Sequence, residues 1–152
     1  MDRSRYKIFS PGSIAGLTLP NRLVRSATWD PSVLTSCQMT EEVLNLYRDL
    51  ALGGIGVIIS GGFPVYRERF PEEDVHTPAR LYADLRVNGL EQMAQVVHQA
   101  RPDCKIIAQL EVGYLDAGPS SISTPFLDEP VRELSLAEIE QIIICFVDAV
   151  VD

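Results

Sequence analysis

Three apolar runs that each close on small or polar residues constrain this chain more than anything else in it. Asn21-Arg22-Leu23-Val24-Arg25-Ser26-Ala27-Thr28 reads as one buried strand, and Gly53-Gly54-Ile55-Gly56-Val57-Ile58-Ile59-Ser60-Gly61-Gly62 as a second. Lys105-Ile106-Ile107-Ala108-Gln109-Leu110 reads as a third, with a lone amide near its end. In the second run the apolar residues are consecutive rather than alternating, the pattern of a parallel strand covered on both faces.

Helical periodicity fills the gaps between these runs. Thr40 stands as an N-cap with Glu41 and Glu42 in the first turn, where carboxylates favour the positive end of the helix dipole. Val43, Leu44, Tyr47, Leu50 and Ala51 follow at helical spacing until Gly53-Gly54 stop the helix. A long connection, rich in Pro and charge, is expected from Phe63 to Asp84, and then a helix carrying Leu90, Met93, Ala94, Val97 and Ala100 that ends before Pro102. A third helix is announced by a capping box, Ser135 with Glu138, and by Leu134 and Ile139 at the staple positions. Ile142, Ile143, Phe146 and Val150 continue its apolar face. Ahead of everything, Ile8 to Pro20 reads as a small hairpin.

Strands alternating with helices, with the longer connections after the strands, give an α/β fold, either a (β/α)8 TIM barrel or an open doubly wound sheet. Both place ligands beyond the carboxyl ends of the strands. No G-x-G-x-x-G follows the first strand and no Walker motif occurs, which weighs against a nucleotide-binding doubly wound sheet. The 152 residues suffice for one domain and no linker divides them, but the last helical pattern has no cap and no turn. Residues 1–152 are therefore read as one incomplete domain, truncated in its third helix.

Charge and cysteine usage narrow the partners. With 13 Lys and Arg against 21 Asp and Glu the net charge is −8, so nucleic acid and anionic membrane are excluded as expected partners. Cys37, Cys104 and Cys145 lack C-x-x-C spacing, which fits a reducing, cytoplasmic setting without a metal site. The polar first residues make no secretory leader, and the apolar run from Ile142 to Val151 is short and broken by Asp148.

The run Ile8-Phe9-Ser10-Pro11 through Asn21-Arg22-Leu23-Val24-Arg25-Ser26-Ala27-Thr28 resembles the opening of the old yellow enzyme family, the NADH:flavin oxidoreductases. Ala51 to Ile59 looks like that family's second strand, and Gln109-Leu110 with Gly118-Pro119-Ser120-Ser121 like its third strand and following loop. The likeness covers the chain in order. It implies an eight-stranded barrel carrying non-covalent FMN, with hydride passing from NAD(P)H through the flavin to an activated alkene or similar small-molecule acceptor. By position, the backbone of Ser26, Ala27 and Thr28 would lie along the isoalloxazine edge and Gly61 would admit the pyrimidine. Gln109 would offer its carboxamide to the pyrimidine O2 and N3, since a neutral amide donates and accepts at once.

The sequence also departs from the family. Many members continue the third strand as Gln-Leu-x-His-x-Gly-Arg, whereas here the His position is Val112 and the Arg position Leu115. The family's substrate-binding pair, catalytic acid and phosphate site fall on later strands, so no catalytic residue is named in this chain.

Plainer duties stand beside these. Trp29 reads equally as a rim residue, His76 as part of a solvated acidic loop, His98 as a surface histidine and Cys145 as a small core hydrophobe. Arg67 and Tyr114 lie on ligand-side loops that carry many polar residues of no special duty. Three strands alone leave two open edges, so the alternative to an oxidoreductase is a non-catalytic module that associates with itself or a partner through them. A third reading is a small doubly wound domain binding another anion at Gly61-Gly62.

Overall fold

The structure is a computed structural model, and it describes residues 5–28, 39–65, 79–112, 117–123 and 130–151. The chain divides into two compact units, Met1–Gly62 with His76–Gln109 and Phe63–Val75 with Leu110–Asp152.

In the first unit a 3-10 turn, Lys7–Phe9, leads into the expected hairpin of β1 (Gly12–Ile14) and β2 (Leu17–Leu19), in the register Gly12↔Leu19 and Ile14↔Leu17. Its two-residue turn has positive φ at both Ala15 (44°) and Gly16 (86°), the geometry that matches the twist of paired strands. Arg22 ties this hairpin to the next strand. Its backbone N–H donates to the Ile8 carbonyl at 2.9 Å and its guanidinium to the Pro11 carbonyl at 3.2 Å.

The central sheet has the order β3-β4-β5, formed by Val24–Arg25, Val57–Pro64 and Lys105–Glu111. β3 and β4 are parallel, with Val24↔Val57 and Arg25↔Ile58. β5 runs the same way, since Lys105 N–H donates to the Gly56 carbonyl at one end and Val65 N–H to the Glu111 carbonyl at the other. Asn21 pins the start of this sheet. Its side-chain amide donates to the Gly54 carbonyl at 2.8 Å while its Oδ1 accepts from Leu23 N–H at 3.0 Å. Residue 56 has to be glycine for the same reason, because a Cβ there would stand 2.6 Å from Asn21 Oδ1.

Helix α1 (Glu41–Leu52) forms where the caps placed it. Thr40 Oγ1 accepts from Val43 N–H at 3.3 Å, and Val43, Tyr47 and Ala51, one turn apart, make its buried stripe. Gly53 N–H closes on the Asp49 carbonyl, and Gly54 takes the left-handed φ of 93° that lets the chain turn into β4. Helix α2 (Ala79–Ala100) packs against α1, burying Met93 and Val97, and its Gly89 lets the Met39 side chain approach to 2.9 Å of where a Cβ would be. The helix begins well before the expected Asp84 boundary. Ala, Leu and Arg in its first turns are good helix formers, and that preference outweighs the polar composition that suggested a loop.

With Val57, Ile58 and Cys104, these side chains form the core of the first unit. Each large apolar member contributes roughly 1.5–3 kcal/mol by leaving water. Only β4 is a buried strand in the sense expected for all three. Val24 of β3 is 49% exposed and Ile107 of β5 is 45% exposed. β3 and β5 lie at the sheet's edges, and an apolar side chain there is buried only if something beyond the sheet covers it.

In the second unit β6 (Ala117–Gly118) and β7 (Arg132–Glu133) form a short parallel pair, and α3 (Leu136–Val151) follows. The capping box is present: Ser135 N–H donates to the Glu138 carboxylate at 2.8 Å and Glu138 N–H to Ser135 Oγ at 3.3 Å. Arg132 adds two guanidinium bonds to the same carboxylate, at 2.7 and 3.0 Å. Leu134 and Ile139, the expected staple, are both half-buried. The apolar face is split rather than single: Ile142 is buried and Phe146 half-buried, whereas Ile143 and Val150 are exposed. Among the described residues no helix is long and apolar enough to cross a membrane.

Candidate functional site

The residues that follow β3 continue beside β4, whose carboxyl half lies beside that of β5, and a network of side chains from two of the strands and from α1 ties them together. Ser60, fully buried in β4, is its centre: Ser60 Oγ accepts from the Gln109 backbone N–H of β5 at 3.0 Å and donates to the Gly61 carbonyl at 2.8 Å. Tyr47, buried on α1, accepts from Gly61 N–H through its phenol oxygen at 3.1 Å. The Arg25 guanidinium of β3 lies 5.5 Å from the centre of the Tyr47 ring, within cation–π range, and reaches the Ile59 carbonyl at 3.3 Å.

This arrangement decides which way the strand residues face. Side chains alternate along a strand, so with Arg25 turned toward α1, Ser26 falls on the opposite face with Val24. Ser26 and Thr28 are exposed, Ala27 is half-buried, and Thr28 Oγ1 donates back to the Ser26 carbonyl at 3.2 Å. Gly61 is half-buried and the Gln109 side chain is exposed. All five residues singled out from the sequence, Ser26, Ala27, Thr28, Gly61 and Gln109, thus lie on the carboxyl side of one sheet, Gly61 and Gln109 within their strands. The sequence reading missed Ser60, Tyr47 and Arg25. A serine inside a buried apolar run was the available signal, since a buried hydroxyl needs partners.

Chemically these five residues are small or neutral, and Glu111 closes β5 two positions beyond Gln109. The backbone N–H groups of Gly61 and Gln109 are already engaged, so the Gln109 carboxamide is the prominent free polar group among these residues. That set suits the edge of a flat, neutral, hydrogen-bonding heterocycle such as a flavin pyrimidine better than an anion. The anion alternative at Gly61-Gly62 loses one of its two amides to Tyr47.

Several other candidates resolve more plainly. His98 is exposed on α2, and Cys145 is half-buried with Gln141 Nε2 at 3.8 Å from its sulfur. Burial pushes the Cys104 thiol up, away from the thiolate a nucleophile requires. Among the described residues no group of three His, Cys, Asp or Glu could hold a metal ion. Val112, at the family's His position, follows β5 and is half-buried. Trp29, Cys37, Arg67, His76, Tyr114 and Leu115 lie outside the described residues.

Parallel strands alternating with helices, behind an amino-terminal hairpin, define a partial α/β barrel with its candidate site at the carboxyl ends of the strands. No family model matches the chain. It is 30% identical over 156 residues to an NADH oxidase of Thermoanaerobacter brockii, a match covering 95% of this chain and 23% of that protein. Over 50 residues, 33% of the chain and 6% of the relative, it is 44% identical to an NADH-dependent flavin oxidoreductase of Neonectria. In fold it is similar to an old yellow enzyme homologue from Zymomonas mobilis, with a TM-score of 0.72 over 95% of this chain and 44% of that one, at 22% identity. The chain is similar to NADH and flavin oxidoreductases in sequence and to part of the old yellow enzyme TIM barrel in fold, with a hairpin and about three βα units. It spans about a quarter of the NADH oxidase that it matches along nearly all of its own length.

Proposed function

We propose that this chain is the amino-terminal part of a single FMN-binding barrel domain and builds part of the flavin seat. Ser26, Ala27 and Thr28 would flank the isoalloxazine, Gly61 would admit the pyrimidine and Gln109 would hydrogen-bond its O2 and N3. Bound FMN would supply hydride transfer from NAD(P)H to an activated alkene or similar small molecule. The chain's own residues bind and orient the ring and keep water from one side of it. The observation that carries this reading is the gathering of an exposed carboxamide and small residues on the carboxyl side of one three-stranded sheet. A cytoplasmic setting accords with it, since the buried thiol of Cys104 needs no oxidising compartment.

The test is spectroscopic. The full-length protein that carries this chain is expected to purify yellow and to bleach anaerobically with NADH or NADPH. The 152 residues alone should show no turnover, because a barrel needs roughly 250 residues to close. A colourless full-length protein that neither binds FMN nor oxidises a nicotinamide, yet forms a concentration-independent dimer, would replace this reading with the non-catalytic module.

A further inference from the structure

We infer that Ser60 is a positioning residue for Gln109, a clasp that sets where the carboxamide of β5 stands relative to the Gly61 backbone of β4. This inference rests on the flavin reading and names a residue that touches no ligand in it. Ser60 is fully buried and uses its hydroxyl in both directions, accepting from Gln109 N–H at 3.0 Å and donating to the Gly61 carbonyl at 2.8 Å. Gly61 is held from the other side by Tyr47 at 3.1 Å. One hydroxyl therefore fixes both residues that would meet the pyrimidine, within the paired length of β4 and β5.

The chemistry makes the clasp hard to replace. Removing the hydroxyl takes away the side-chain tie between Gln109 N–H and the Gly61 carbonyl and loosens β5 against β4 at that point. A small displacement there matters because a two-point amide contact needs donor and acceptor in register at once. Threonine keeps the oxygen on the same Cβ and should keep the clasp.

The experiment is a double-mutant cycle on the full-length protein, read by FMN titration and by the flavin midpoint potential. Ser60→Ala is expected to weaken FMN binding about tenfold and to lower the potential, because an aligned amide stabilises the electron-rich reduced pyrimidine. Ser60→Thr should restore both. In a Gln109→Ala background, Ser60→Ala should add less than about twofold, since the group it positions is gone. Full additivity of the two changes would overturn the proposal, because a merely structural serine weakens binding with or without Gln109. Hydrogen exchange at the Gln109 amide, faster in Ser60→Ala and restored in Ser60→Thr, reads the clasp without any flavin. Unchanged exchange shows that the clasp does not exist, whereas altered exchange in a protein that binds no FMN overturns the flavin role and leaves only a structural tie.

Discussion

Helices α1 and α3 are stabilised in opposite ways. α1 starts on a single long cap bond, Thr40 Oγ1 to Val43 N–H at 3.3 Å, and hides Val43, Tyr47 and Ala51 completely enough that the core of the first unit depends on it. α3 starts on a reciprocal capping box reinforced by Arg132, yet Leu136, Ile143, Ile144, Val147 and Val150 stay exposed along its length. The more apolar helix is the less buried one. End chemistry is written locally, in four residues, whereas burial depends on what the rest of a molecule brings to the helix face.

Core truncation should show the largest effect. Val43→Ala, at a position 1% exposed, is expected to cost about 2–3 kcal/mol in urea denaturation. Val147→Ala, at a position 57% exposed, should stay within about 0.5 kcal/mol because alanine is the better helix former. A comparable loss from both would show that α3 is covered in solution, and the contrast would be gone.

A subtler change sharpens what α1 does beyond packing. Tyr47→Phe keeps the ring under Arg25 but removes the acceptor for Gly61 N–H, and should cost about 1–2 kcal/mol with faster exchange at the Gly61 amide. If Gly61 exchange is unaltered, the phenol oxygen is not what holds the end of β4.

The smallest effect lies at the caps and depends on pH. Ser135→Ala should destabilise by about 1 kcal/mol, the larger share of it local to α3. The Arg132 guanidinium, then the N–H and hydroxyl of Ser135, lower the Glu138 carboxyl from 4.5 to about 2. A group depressed on folding stabilises the folded form above its unfolded value and loses that contribution as pH falls toward the folded one. The protection of amides in the first turn of α3, taken relative to their intrinsic exchange rates, should therefore be constant above pH 4.5 and fall between 4.5 and about 2, while Glu138→Gln should abolish that step.

How much of this could be read from the residues follows the same division between local and distant causes. Thr40, Ser135 with Glu138 and Gly53-Gly54 marked helix ends correctly, because each acts on backbone within a few positions. The consecutive Val57, Ile58 and Ile59 marked the central strand, whose two neighbours complete the sheet beside it. Val24 and Ile107 read as equally buried and are half exposed, since position in the sheet order is invisible in a strand's own sequence. The Arg25, Tyr47 and Ser60 network was hidden for a similar reason. Each is an ordinary member of its element, and only the fold brings residues 14 and 49 positions apart into hydrogen-bond range, Tyr47 with Gly61 and Ser60 with Gln109.

Asn21 carries a further consequence. By gripping the Gly54 carbonyl 33 residues ahead, it fastens the approach to the central strand, as the hydroxyl of Ser60 fastens its middle. A shift of the strand by a single residue would break both grips together and turn Ser60 outward, so intermediate alignments have nothing to rest on. The strand has one seating, and a ring laid across its tip would meet the same contour in every molecule.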